Sequence, residues 1–231
     1  MKPISSSDVD AHITALRDHD WNIRWHAAKA LATAGDTRAV EPLIAALTDP
    51  DAWVRWEVAH ALGNLGGPRA VEALLAAMRD PDQWVRWEAT RALGSLGDSR
   101  ALEPLLTALH DREAQIRWEA ARALANIPDA RAVKPLITTL RDTEPRVRWE
   151  SARALGNIGG KSAVTALMTA LRDPDERVRS EAAQALANIG DQRALPALAR
   201  LARETDATTG LPTSAALHAQ TAASQIRHAN C

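Results

Sequence analysis

Eight tryptophans supply every large aromatic side chain of this chain, which has neither phenylalanine nor tyrosine. Five of them, Trp25, Trp56, Trp87, Trp118 and Trp149, follow one another at steps of 31 residues. Each is preceded by arginine, and four are followed by glutamate: Glu57, Glu88, Glu119 and Glu150. Four residues beyond the indole stand His60, Arg91, Arg122 and Arg153, while Trp53 and Trp84 flank Trp56 and Trp87, with Trp21 a further indole near the start. The chemistry this set offers is recognition. Indole faces desolvate apolar groups, and an indole beside a carboxylate attracts a cation through the ring quadrupole and the charge. Catalysis has no comparable signal, for there is no nucleophile with its base, no cluster of metal ligands and no glycine-rich phosphate loop. No catalytic residue, metal or cofactor is therefore expected.

The elements that carry these residues repeat with them. Val40, Leu43, Ile44 and Leu47 fall at i, i+3, i+4 and i+7, one face of an amphipathic helix. The pattern recurs from Val71, Leu102, Val133 and Val164, with outer copies from Val9 and Leu195. Pro42, Pro104 and Pro135 lie in its first turn, where a missing N–H costs little. Each such A helix ends at an aspartate, Asp18, Asp49, Asp80, Asp111, Asp142 or Asp173, and these are the expected N-caps of a second, B helix, with Pro50, Pro81 and Pro174 at its first position. The B helix carries the tryptophan and ends at Gly35, Gly66, Gly97, Gly159 or Gly190, or at Pro128 in the fourth unit.

On a wheel of about 100° per residue, Val54, Val58, Ala61, Leu62 and Leu65 share one arc, the core side. Trp53, Trp56, Glu57 and His60 fall on the far side, and Arg55 lies at the edge of the core arc. The recurring aspartate and arginine are six residues apart, as in Asp49 and Arg55, which predicts a ladder that staples each B helix to its loop or to the next unit. The tryptophans have two open roles: packing on the next unit, or an exposed strip of the kind that marks a binding site. The pairs Glu88 with Arg91, Glu119 with Arg122 and Glu150 with Arg153 either solvate the helix or turn a groove from aromatic and acidic to basic, with Arg146 and Arg177 joining the basic end. His26 and His60 read as surface histidines.

Composition sets limits. The 28 Lys plus Arg nearly balance 29 Asp plus Glu, against a broad footprint for nucleic acid or an anionic membrane. The N-terminus has no apolar run, and no stretch reaches the roughly 18 apolar residues of a membrane helix, so a soluble, cytoplasmic protein is expected. The one cysteine, Cys231, excludes an internal disulfide or thiolate metal site. A period of this length takes precedence over counting domains by size. Residues 1–203 should hold six helix pairs and the first helix of a seventh, 204–213 a Thr-rich loop, and 214–231 a capping helix and tail, all in one continuous solenoid.

The copy Val147-Arg148-Trp149-Glu150-Ser151-Ala152-Arg153-Ala154-Leu155-Gly156-Asn157-Ile158-Gly159 resembles HEAT repeats, in particular the short kind named after phycocyanobilin lyases. Ser151 and Val58 stand where the pattern has alanine, which Ala89, Ala120 and Ala182 keep. The resemblance implies an all-α, right-handed α-solenoid of helix pairs with the B helices on the concave side. It also covers artificial binding libraries built on such repeats, whose varied positions correspond to Trp53, Trp56, Glu57 and His60. Deoxyhypusine hydroxylase is similar too, but its iron-binding His-Glu pairs are replaced here by Trp-Glu. In the HEAT-like DNA glycosylases the concave surface is basic, and the recurring glutamates oppose phosphate. The expected function is a non-catalytic scaffold that binds a peptide or protein segment along a Trp-, Glu- and Arg-lined groove. The alternative implied by the resemblance is a bilin lyase or chromophore chaperone holding a tetrapyrrole there.

Overall fold

The structure is a computed structural model and describes residues 6–205 and 211–229. Among these, every regular element is a helix, apart from an isolated bridge between Thr205 and Pro212. The described residues group into two compact units that divide after Ala108.

The first unit contains α1 (Ser6–Ala15), α2 (Trp21–Ala34), α3 (Val40–Ala46), α4 (Ala52–Leu65), α5 (Pro68–Ala77), α6 (Gln83–Leu96) and α7 (Leu102–Ala108). The second contains α8 (Ala114–Asn126), α9 (Val133–Thr139), α10 (Pro145–Ile158), α11 (Lys161–Ala170), α12 (Glu176–Ile189), α13 (Leu195–Leu201) and α14 (Ser214–Ala229). Odd-numbered helices are the A helices, and the even-numbered helices from α2 to α12 are the B helices of the repeat. Within each unit successive B helices pack side by side, α2 on α4 on α6 and α10 on α8 and α12, with α14 taking the next place beside α12.

The core is a set of columns with one residue per repeat. Leu43, Leu74 and Leu105 of A helices and Leu31, Leu62 and Leu93 of B helices are all fully buried in the first unit. Leu136, Leu167 and Leu198 of A helices and Leu124, Leu155 and Leu186 of B helices are so in the second. At roughly 2 kcal/mol per buried leucine side chain, these columns carry much of the stability. Alanines fill the narrower helix–helix seams, including Ala59 and Ala70. Polar replacements there are satisfied internally. Thr90 Oγ1 donates to the Arg86 carbonyl at 2.8 Å, and Ser151 Oγ lies 2.6 Å from Thr139 Oγ1.

The start of each B helix differs from the expectation. The recurring aspartates do not cap it; the residue two places on does. Asp51 accepts the N–H groups of Trp53 and Val54, Asp82 and Asp175 accept the equivalent pairs, and Asp20 accepts the N–H of Asn22. Glu113 and Glu144 occupy the cap without a side-chain bond. Asp49 instead accepts the N–H of Asp51 at 2.9 Å, forming a turn before the helix. Pro50, Pro81 and Pro174 fall in that turn, and Pro145 alone among these loop prolines stands at a helix start. The physical reason is that the aspartate is already engaged. Its carboxylate receives the arginine of the preceding repeat in two hydrogen bonds: Arg24 to Asp49 and Arg55 to Asp80 in the first unit, Arg117 to Asp142 and Arg148 to Asp173 in the second, at 2.6–2.9 Å. The same guanidinium gives its remaining nitrogen to its own loop, as Arg55 Nη1 does to the carbonyl of Asp49 at 2.8 Å. The ladder thus joins both the loop and the next repeat.

The expected glycines end the B helices. Gly35, Gly97 and Gly190 cap in the left-handed region. At Gly66-Gly67 two consecutive positive φ angles, 67° and 87°, turn the chain directly into α5. Only glycine adopts such a pair cheaply. Where aspartate follows instead, as at Asp36, it caps a short 3-10 turn that precedes a shorter A helix. Cys231 and residues 206–210 of the expected loop lie outside the described residues.

Candidate binding surface

In the first unit the cap geometry aims tryptophans outward. Trp53 and Trp84 are each the second residue of a B helix, their N–H groups bonded at 2.8 Å to the cap aspartate. Their side chains leave the first turn into solvent and are 57 % and 45 % exposed; Trp21, the first residue of α2, is 46 % exposed. The in-register tryptophans Trp25, Trp56 and Trp87 are half-buried. Trp56 stacks on His60 with ring centres 6.0 Å apart, Trp84 meets Trp87 edge-on at 6.5 Å, and Lys29 Nζ lies 4.8 Å from the Trp25 ring centre. A cavity of about 360 Å³ is lined by Trp21, Asn22, Trp25, His26, Trp53 and Trp56.

The glutamates do not face this surface. Glu57 is 4 % exposed, and Glu88, Glu119 and Glu150 are 1 % exposed each. A wheel drawn for one helix pair counts a single neighbour, the A helix. In a stack, each B helix also has B helices on its flanks, so positions well off the core arc are covered from the side. Glu88 is held there by Arg91 Nε at 2.8 Å and by Nη2 of the same arginine, and lies 3.0 Å from His60 Nδ1 on α4. His60 is therefore a link between B helices and only partly a surface residue. Glu57 sits above the usual carboxylate range because burial disfavours its charge, an effect opposed by His60, Lys29 and His26.

The second unit repeats the arrangement with a different surface. Trp118 and Trp149 are half-buried. Each indole acts on the glutamate of the next repeat, Trp118 helping to lower Glu150 and Trp149 helping to lower Glu181. Arg122 covers Trp118 and bonds Glu119 at 2.7 Å, and Arg153 covers Trp149 and bonds Glu150 through Nε at 2.6 Å. Burial raises Glu150, and Arg153, Arg122 and Trp118 pull it back. Glu181 is likewise raised by burial, with Arg153 opposing and Glu150 reinforcing. The sixth copy has Ser180 in place of tryptophan. Beside it opens a cavity of about 500 Å³ lined by Trp118, Pro145, Arg146, Trp149, Asp175, Arg177, Ser180, Glu181, Ser214 and His218.

Of the expected contact residues, the structure exposes Trp53 and Trp84. It leaves Trp25, Trp56, Trp87, Trp118, Trp149, His60, Arg91, Arg122 and Arg153 partly accessible, and it buries Glu57, Glu88, Glu119 and Glu150. Ser214 and His218 of α14 were not foreseen, because the inserted loop breaks the 31-residue register that located the others. Among the described residues no group of three or more histidine, cysteine, aspartate or glutamate side chains is placed to hold a metal, and no helix is long and apolar enough to cross a membrane.

A family model described as HEAT repeats matches residues 9–84, 71–142 and 133–211. A comparison with curated protein sequences gives no match. Among solved structures, an engineered protein is 28 % identical over 95 % of this chain and 68 % of its own, with a TM-score of 0.62. A second engineered protein is 28 % identical over 96 % of this chain and 97 % of its own, with a TM-score of 0.53. The complex of CpcE and CpcF of phycocyanin lyase from Nostoc sp. PCC7120 is 24 % identical over 94 % of both chains, with a TM-score of 0.60, a likeness of fold.

Proposed function

Given that the chain belongs to the HEAT-repeat family, we propose that it is a non-catalytic interaction scaffold that holds a peptide or protein segment against the outward face of its B helices. The observation that carries this reading is the trio Trp21, Trp53 and Trp84, large apolar side chains each about half in water. Folding leaves indoles exposed only where nothing in the chain covers them, and clustered exposed aromatics are the material of binding hot spots. HEAT repeats commonly mediate protein interaction, and the accessible faces of Trp25 and Trp56 extend the patch. Binding on this reading is dominated by aromatic burial, since the glutamates beside the tryptophans are turned into the stack.

The test is a selection of random peptides on the immobilised full chain, followed by calorimetry of the enriched peptides on wild type and on the double variant Trp53→Ala, Trp84→Ala. Enriched peptides that lose at least about tenfold in affinity on the variant, equal to 1.4 kcal/mol, support the scaffold. Peptides indifferent to the variant remove this surface from the function. A coloured tetrapyrrole retained stoichiometrically through purification would replace the reading with a chromophore-handling one.

A further inference from the structure

Resting on the scaffold reading, we infer that the cavity of the second unit is a pocket for an acidic segment with one aromatic side chain, the ring entering where the sixth repeat lacks its tryptophan. Trp118 and Trp149 occupy the column position in their repeats, and Ser180 occupies the same position in the next. The hydroxymethyl group of a serine cannot fill the place of an indole, and the space beside it is a cavity of about 500 Å³ floored by the two half-buried tryptophans. An inserted ring meets these indoles in the offset or edge-on arrangements that aromatic pairs favour.

The charge at its mouth selects the rest of the ligand. Arg146 and Arg177 line the cavity, are exposed, and form no ion pair among the described residues. Both lie at the helix position that carries Trp53 and Trp84 in the first unit, one repeat apart from each other. His218 of α14 also lines the cavity, its Nδ1 2.8 Å from the Ser214 carbonyl. Of the two carboxylates of the lining, Asp175 caps α12 through the N–H groups of Arg177 and Val178, and burial disfavours the charge of Glu181. Two guanidiniums without carboxylate partners, set over an aromatic floor, fit carboxylates on either side of an apolar anchor.

Calorimetry on the full chain tests this with three acetylated, amidated peptides: phenylalanine flanked on each side by glutamates, alanine in the same acidic setting, and phenylalanine flanked by lysines. The first should bind, and the other two should bind at least about tenfold more weakly. Ser180→Trp restores the side chain the other repeats carry and should abolish binding by filling the slot, with the helical circular dichroism unchanged. Arg146→Glu with Arg177→Glu should weaken the acidic peptide and improve the lysine one, a readout that stands if the tryptophan variant misfolds. Equal affinities for the three peptides, no measurable binding of the first, or binding by the Ser180→Trp protein equal to wild type overturns the pocket. So does tight binding of a linear tetrapyrrole dicarboxylate with none of the acidic peptide. Failure here leaves the Trp53 and Trp84 selection unaffected, so the two readings fall separately.

Discussion

His60 Nδ1 on α4 lies 3.0 Å from Glu88 on α6, the residue that follows the next tryptophan of the column. The glutamate of this Trp-Glu dipeptide therefore faces the preceding repeat. In the second unit Trp118 and Trp149 likewise act on the glutamates one repeat ahead, Glu150 and Glu181. The tryptophan column is both a packing ladder and, through its accessible faces, part of a surface.

This separates two kinds of tryptophan by stability. Trp118→Ala removes a half-buried ring that Arg122 covers and should cost about 2–4 kcal/mol. Trp53→Ala removes an exposed ring and should change stability by less than about 0.5 kcal/mol. Urea unfolding of both variants decides the matter, and equal losses would dissolve the distinction.

The arginine ladder should be far less tolerant. In Arg55 and Asp80 both side chains are mostly buried and joined by two hydrogen bonds. Asp80→Ala leaves the guanidinium uncompensated and also deletes the turn that Asp80 makes with the N–H of Asp82, at a cost of about 3 kcal/mol or more. Arg55→Lys keeps the charge but not the fork and should recover only part of it. A Tm series across wild type and the two variants gives the order.

Glycine inside a helix usually weakens it by about 1 kcal/mol relative to alanine, yet Gly156→Ala should destabilise. A Cβ at residue 156 of α10 would lie 2.7 Å from the Cβ and 2.8 Å from the Cα of Ala185 on α12. The helices must move apart, at about 1–3 kcal/mol. Chemical denaturation showing a gain for Gly156→Ala would refute this close approach.

Acid should act in two opposite ways. Glu57, Glu150 and Glu181 have folded-state values raised by burial. Their contribution is complete below the unfolded value of about 4.3 and is lost as pH rises through the raised one. Asp98 and Asp191, held at about 2 by Arg100 and Arg193, contribute above the unfolded value of about 3.9 and lose that contribution as pH falls toward 2. Glu57→Gln should therefore flatten the decline of stability above pH about 4 and leave the acid limb in place. Denaturation midpoints across the pH range read both limbs.

The periodicity made the helices, their order, the leucine columns and the glycine ends legible, because each depends on one helix and its partner. Pairing of Arg55 with Asp80 was only half legible. The six-residue interval from Asp49 to Arg55 is visible in the sequence, whereas the carboxylate that Arg55 binds lies 25 residues ahead. The burial of Glu88 was hidden for the same reason, since it is produced by a neighbouring B helix that a single-helix wheel omits. Cap positions were misplaced by two residues because Asp49 and Asp51 are alike as caps on paper, and only the prior engagement of Asp49 by Arg24 decides between them.

The second residue of the B helices has a consequence for how such a molecule diversifies. At Trp53, Trp84 and Arg177 the backbone N–H is committed to the cap aspartate, while the side chain is exposed. On the scaffold reading proposed above, a change of side chain at this position alters what the surface offers a partner while the cap bond, made by the backbone, stays in place.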